Sequence, residues 1–255
     1  MTKTALITGA SSGIGKACAL KFAGEGWKVI LNGRRKGHLE DLGNYIKNEF
    51  NGQAYILPFN VSDKQAVFKA IEKLPEEWKK IDLLINNAGL AAGADPIHKG
   101  STDDWDTMID TNLKGLLYVT KAVVNGMVER KEGHIINIGS IAAKDTYPKG
   151  NVYCGTKRGV EAITNGMRID LLEYNIKVSL INPGATETEF SLVRYKGDKE
   201  KAESVYKGYT PLYGEDVAQV IYFAANLPPH VNINDLLLMP TAQASAVCFN
   251  KKHKT

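Results

Sequence analysis

Seven short runs of β-branched or leucine-rich residues recur along the chain, at Ala5–Thr8, Val29–Leu31, Ala54–Leu57, Leu83–Asn86, Ile135–Ile138, Val178–Ile181 and Leu236–Met239. Stretches with helical periodicity separate them. Strands that alternate with helices pair in parallel and need apolar cover on both sides. The expected fold is therefore α/β, a single-domain Rossmann fold with a doubly wound parallel seven-stranded sheet and helices on both faces. Ser62 with Gln65, and Ser101 with Asp104, mark two helix starts, and Gly24 and Gly26 mark the end of the first helix. No repeat or Pro/Gly linker divides residues 1–255, so one domain is expected throughout. The stretch from Gly184 to Gly214, rich in charge, tyrosine and glycine, resists a regular reading. It follows the sixth strand, where open α/β sheets bind ligands, and is a candidate substrate lid.

Composition narrows the class. Hydrophobic residues make up 44% of the chain, enough for a large core, and 32 basic against 28 acidic residues leave a net charge of only +4. The short basic tail Lys251, Lys252, His253, Lys254 reads as a solvated end, and no nucleic-acid motif accompanies it. Cys18, Cys154 and Cys248 are widely spaced, and His38, His98, His134, His230 and His253 lack metal-site spacing, so neither a disulfide framework nor a metal is expected. No signal-peptide core precedes Ala5, and no apolar stretch reaches the roughly 18 to 20 residues of a membrane span. The expectation is a soluble, cytoplasmic protein.

The chemistry-bearing residues fall at the carboxyl ends of the strand runs. The first run leads into Thr8-Gly9-Ala10-Ser11-Ser12-Gly13-Ile14-Gly15, whose glycines let the backbone approach a pyrophosphate at a helix N-terminus. A nucleoside-triphosphate P-loop would need glycine in place of Ala10 and Ser or Thr in place of Ala17. The second run ends at Arg34 and Arg35, where an acidic residue would bond the adenine ribose of NAD; two arginines there favour the 2′-phosphate of NADP. Asn87-Ala88-Gly89 after the fourth run, and Pro183-Gly184 with Thr188 after the sixth, fit the same cofactor.

Tyr153 and Lys157 lie one helical turn apart on a helix starting near Asn151. A free tyrosine has a pKa near 10, and bringing it to neutrality requires about 4 kcal/mol. A lysine ammonium and an oxidised nicotinamide can supply much of that. Ser140 ends the fifth run, with a hydroxyl suited either to a substrate carbonyl or to capping a turn. Asn112, on the crossover helix between the fourth and fifth runs, is suited to hold a water that relays protons to Lys157.

Together, Thr-Gly-x-x-x-Gly-x-Gly at 8–15, Asn-Asn-Ala-Gly at 86–89, Asn112, Ser140, Tyr-x-x-x-Lys at 153–157 and Pro-Gly at 183–184 resemble the short-chain dehydrogenase/reductase superfamily, over residues 4 to about 240. The resemblance implies strand order 3-2-1-4-5-6-7 and hydride transfer with NADP(H). In it Tyr153 is the acid/base, Ser140 the carbonyl partner, Lys157 the group that binds ribose and lowers the tyrosine pKa, and Asn112 a relay member. Asn60-Val61 departs from the aspartate many members carry before the valine, though asparagine can still bond adenine. Met108–Asn112, Gly133–Ser140, Thr188–Asp198 and His230–Asn234 look more narrowly like NADP-dependent 3-hydroxy acid dehydrogenases, also called serine or allo-threonine dehydrogenases. That resemblance implies a small hydroxy acid or its carbonyl counterpart as substrate, and a homotetramer. Arg194 then offers a bidentate partner for a substrate carboxylate, unless it pairs with Glu187 or Glu189, and Tyr147 is a candidate pocket wall. Alternatives are an NADPH-dependent reductase of larger carbonyls or 3-ketoacyl thioesters and, from another class, a non-enzymatic NADP(H)-binding regulator.

Overall fold

Alternation along the apolar runs decides how the sheet is covered. In the first strand, β1 (Thr4–Ile7), Ala5 and Ile7 pack into one apolar layer and Leu6 into the layer on the opposite face. The computed structural model, which describes residues 2–251, repeats this along a parallel sheet. Its other strands are β2 (Lys28–Gly33), β3 (Ala54–Pro58), β4 (Leu83–Asn86), β5 (Gly133–Ile138) and β6 (Ile176–Pro183). The seventh is β9 (Asp235–Leu238), which follows two short strands outside the sheet, β7 (Thr186–Glu187) and β8 (Leu212–Tyr213). Strand order is β3-β2-β1-β4-β5-β6-β9, the order that the resemblance implies. The order reverses between β1 and β4, which opens a crevice at their carboxyl ends.

On one face lie α1 (Gly13–Gly24), α2 (Lys36–Phe50) and α10 (Gly214–Ala225), which bury Phe22, Leu39, Ile46 and Ile221 against Ile7, Leu31 and Ile85. On the other, α3 (Lys64–Glu72), the single turn α4 (Glu76–Lys79), α6 (Leu116–Arg130) and α7 (Asn151–Asp170) cover Leu6, Ile30, Leu84, Ile135 and Leu180. Each such fully buried aliphatic side chain contributes about 1.5–3 kcal/mol. The helix α5 (Thr102–Ile109) enters α6 through a π-helical turn, Asp110–Gly115. The expected lid is not structureless: it holds β7, α8 (Phe190–Arg194), α9 (Lys199–Ser204) and β8.

Two local expectations are corrected. The start of α3 is capped by Asp63, whose carboxylate accepts Ala66 N–H at 3.0 Å, one residue beyond Ser62. Ser101 precedes α5 without a side-chain cap, and Asp104 instead pairs with Lys196 of the lid at 2.9 Å. Of the basic tail, Lys252, His253 and Lys254 lie outside the described residues. Among the described residues, no helix is long and apolar enough to cross a membrane, and no group of three His, Cys, Asp or Glu side chains is placed to hold a metal.

His134 on β5 is buried, with Nε2 2.8 Å from Ser179 Oγ and Nδ1 without a partner. Burial, followed by Lys177 and Lys3, lowers its pKa from 6.5 to about 3. The unfolded chain therefore binds a proton between those values that the folded chain refuses. The stabilisation is complete above pH 6.5 and is lost as pH falls toward 3, by about 1.4 kcal/mol per pH unit. Chemical denaturation at pH 7.5 and pH 5 should show a loss of about 2 kcal/mol from this residue, and His134→Gln should flatten the dependence by that amount.

Candidate active site

The turn after β1 is built on close backbone approaches. Gly9 and Gly13 have φ of +67° and +52°, which L side chains rarely adopt. A Cβ on Gly15 would collide with the Gly9 carbonyl, and one on Gly13 would press on Thr188 at 3.1 Å. Thr8 Oγ1 receives the backbone N–H groups of Asn87 and Ala88, each at 2.9 Å, while Asn87 Nδ2 donates to Thr8 O at 2.8 Å. The ends of β1 and β4 are thus knitted together, and the start of α1 is left open toward a cavity of about 710 Å³. A pyrophosphate fits there on physical grounds: backbone held open by glycines at a helix N-terminus.

Ser11, Ser12, Gly13, Ile14, Arg34, Arg35, Asn60 and Val61 line this cavity. Arg35 lies over Ser11, whose Oγ accepts from its NH2 at 3.1 Å, and forms an exposed ion pair with Glu189 at 2.9 Å. Glu189 is the sole acidic residue among the described lining, against Arg34, Arg35, Lys149, Lys157, Arg194 and Lys251. The cavity suits an anion.

The same cavity is lined by Gly89, Ser140, Tyr147, Tyr153, Lys157, Pro183, Gly184, Thr188 and Arg194. Tyr153 and Lys157 are both buried on α7. Lys157 Nζ donates to Ile138 O at 2.8 Å, and burial lowers its pKa to about 8. Burial, and next Tyr147, holds the Tyr153 phenol above its ordinary value, with the Ser140 hydroxyl acting the other way. That burial favours the protonated phenol, the form able to give a proton to a carbonyl oxygen. Ser140 caps the turn Ile141–Ala143, its Oγ accepting Ala142 N–H at 3.1 Å. That bond uses an oxygen lone pair and leaves the hydroxyl proton to donate, so capping and carbonyl binding are compatible.

Asn112 sits not in a regular helix but in the π turn, which Gly115 lets close on Val61, where a Cβ would stand 2.7 Å from Val61 Cγ2. Its side chain is committed: Oδ1 accepts Leu90 N–H at 2.9 Å, and Nδ2 donates to Leu90 O at 2.8 Å and Thr156 Oγ1 at 3.0 Å. Gly15 and Asn112 shape the cavity from behind, without lining it.

Arg194 pairs with neither Glu187 nor Glu189. Its NH1 donates to Tyr147 OH at 3.1 Å, its guanidinium lies 5.3 Å from the Tyr147 ring centroid, and its Nε is buried without a partner. The two candidate substrate residues are therefore brought together.

Several residues escaped the sequence reading. Asn182 Oδ1 accepts Ser140 N–H at 2.9 Å, while its Nδ2 donates to Asp235 at 2.8 Å, and Asp235 in turn pairs with Lys144, which also pairs with Glu161. Gly139 must be glycine, since a Cβ would overlap Asn182 Oδ1. Asn182 directly precedes Pro183-Gly184, a signal that was available. Phe190, with its ring centroid 5.5 Å from that of Tyr153, and Gln243 in the polar C-terminal stretch carried no such signal.

Residues 3–198 match the short chain dehydrogenase family. The chain is 47% identical over 242 residues to the NADP-dependent 3-hydroxy acid dehydrogenase of Escherichia coli strain K12, covering 94% of this chain and 96% of that one. It is 45% identical over 246 residues to the serine 3-dehydrogenase of Rhizobium radiobacter, covering 96% and 97%. The closed form of a serine dehydrogenase complexed with NADP+ superposes with a TM-score of 0.91 at 45% identity, covering 99% of this chain and 100% of that one.

If Asn182 holds the Ser140 backbone in place, Asn182→Leu should lower kcat about 10- to 100-fold while NADPH affinity stays within about two-fold. Steady-state turnover and fluorescence titration check this, with the melting temperature as the folding control. An unchanged kcat would detach Ser140 from this tie.

Proposed function

Because this chain belongs to the short chain dehydrogenase family, we propose that it is an NADP-dependent oxidoreductase of small 3-hydroxy acids, such as serine, allo-threonine or 3-hydroxyisobutyrate, and of the matching semialdehydes or ketones. The observation that carries the substrate class is the Arg194 guanidinium, tied to Tyr147, which lines the same cavity as Ser140 and Tyr153. A substrate carboxylate would complete its hydrogen bonds, and charge-assisted bonds of this kind are worth about 1.5–3 kcal/mol each.

Bound NADP(H) supplies or accepts the hydride. In oxidation Tyr153 takes the proton of the 3-hydroxyl as hydride leaves C3, and in reduction Tyr153 returns it to the carbonyl oxygen. Ser140 donates its hydroxyl proton to the same oxygen and so fixes its position. Lys157, buried with Ile138 O, has ammonium protons left for the nicotinamide ribose, and its charge stabilises the tyrosinate. Since the Asn112 side chain is spent on Leu90 and Thr156, a proton relay past it would use its main chain or the second lone pair of Oδ1. Ser11, Arg34 and Arg35 hold the 2′-phosphate, Asn60 and Val61 the adenine, and Asn87, Ala88, Gly89, Pro183, Gly184 and Thr188 the nicotinamide half. The reading takes residues 1–255 as one domain, with 184–214 as the lid, and extends to a cytoplasmic homotetramer. The exposed Ile109, Leu117, Ile169 and Leu172 along α5, α6 and the end of α7 support the assembly.

Formation of NADPH should be followed with L-serine, L-allo-threonine, D-threonine and 3-hydroxyisobutyrate, each beside NAD, with Tyr153→Phe as the blank. Turnover with NADP that vanishes in the variant is expected. Arg194→Met should raise KM for serine about 10- to 100-fold and spare NADP binding. An unmoved KM would remove Arg194 from the substrate site, and activity confined to neutral diketones would favour a reductase of larger carbonyls.

A further inference from the structure

The last described residues double back over the cavity. Gln243 and Phe249 form an antiparallel bridge, Ala244 N–H donates to Cys248 O at 2.9 Å and Asn250 N–H to Ala242 O at 2.8 Å. The strap so formed satisfies its own backbone and is fastened at three points. Gln243, buried, accepts Ala185 N–H on Oε1 at 2.7 Å. Ala246 N–H donates to Asp145 Oδ2 at 2.9 Å. The Phe249 ring lies 5.0 Å from that of Tyr209, with Lys251 Nζ 5.5 Å from both.

These anchors belong to the turn after Pro183-Gly184, the loop after Ser140 and the lid. Ala185 lines the cavity beside Pro183 and Gly184, Asp145 lies in the chain between the lining residues Ser140 and Tyr147, and Tyr209 follows the lining residues Val205 and Tyr206. Ala246 and Phe249 line the cavity, whereas Val247 between them is 62% exposed and faces away. The strap therefore presents one small and one large apolar side chain inward from a braced backbone.

We propose that Ala246 and Phe249 set the length of substrate the enzyme accepts, by walling the space beyond the carbon that carries the hydroxyl or carbonyl. This rests on the function proposed above for the site. A three- or four-carbon hydroxy acid fits inside the wall, whereas a longer alkyl chain meets the Phe249 ring. Phe249→Ala removes the ring and opens the end of the site. Ala246→Leu adds bulk on the same side and narrows it. The two substitutions act in opposite directions on one ratio, which a general loss of stability would not do.

The measurement is kcat/KM for 3-hydroxyhexanoate divided by that for 3-hydroxypropionate, with NADP saturating. Each additional buried methylene is worth about four-fold, so Phe249→Ala should raise the ratio about ten-fold or more. Ala246→Leu should lower it. A ratio unmoved in both variants, with NADPH binding intact, overturns the proposal. If Phe249→Ala does not bind NADPH, Ala246→Leu decides alone: a lowered ratio supports the wall and an unmoved one overturns it. Should the unaltered enzyme oxidise neither acid, the 3-hydroxy acid reading fails by itself. The same ratio is then read in reduction with 2,3-heptanedione against 2,3-butanedione, where the two variants carry the same expectations.

Discussion

A lysine ammonium buried behind a sheet edge has to be satisfied, and much of this site is arranged around that requirement. Lys157 reaches the carbonyl of Ile138, the last residue of β5, and burial lowers its pKa to about 8. One carbonyl is a poor exchange for water around a full charge, so the remaining protons favour a ligand with hydroxyl or phosphate oxygens. The space beside them is kept clear by Gly89, where a Cβ would stand 3.5 Å from Lys157 Nζ and 3.2 Å from Asn112 Oδ1. Tyr153, one turn away on α7, is buried by the same packing, and that burial favours its protonated form. In the proposed function, the ribose that completes the hydrogen bonds of Lys157 would also bring the positive nicotinamide toward Tyr153.

The sheet makes this arrangement rigid. Parallel strands place all their carboxyl ends on one edge, and ties among those ends fix the distances: Thr8 to Asn87 and Ala88, and Ser140 to Asn182, which is held in turn by Asp235 at the start of the edge strand. Deeper in the sheet, Asn86 Nδ2 donates to Thr120 Oγ1 and Asn137 Oδ1, each at 2.9 Å, which ties β4 to α6 and β5 beneath the site. Buried polar bonds of this kind contribute modest net stability but are costly to break, and they specify one arrangement of the edge. The segment 184–214, in contrast, is joined both through the exposed pair of Arg35 with Glu189, weak enough to exchange, and through the part-buried bond of Arg194 to Tyr147.

The seven strands were legible in the sequence because each is a short apolar run with helical stretches on either side. The candidate site residues stood out in the sequence because the chemistry they suit demands particular types at fixed spacing: glycines where backbone would meet phosphate, and a tyrosine and lysine one turn apart. Four kinds of detail were not legible. Asp63 took the cap from Ser62, since a shift of one residue along a polar turn leaves no trace in periodicity. The π turn at Asp110–Gly115 inserts one residue without changing composition. The commitment of Asn112 to Leu90 and Thr156, and of Lys157 to Ile138, depends on distances of 22, 44 and 19 residues along the chain. The C-terminal strap reads as a polar tail because its role comes from three tertiary anchors and not from its own pattern.

The proposed function turns on a balance at Tyr153, between burial that favours the protonated phenol and the positive charges of Lys157 and the oxidised cofactor that would favour the base. Titrating the ζ-carbon resonance of carbon-13 tyrosine, with Tyr153→Phe for assignment, measures this directly in the free protein and in its NADP+ complex. The account predicts no ionisation of Tyr153 below about pH 10 in the free protein and ionisation well below that value in the complex. A phenol that titrates at the same pH in both states would contradict it.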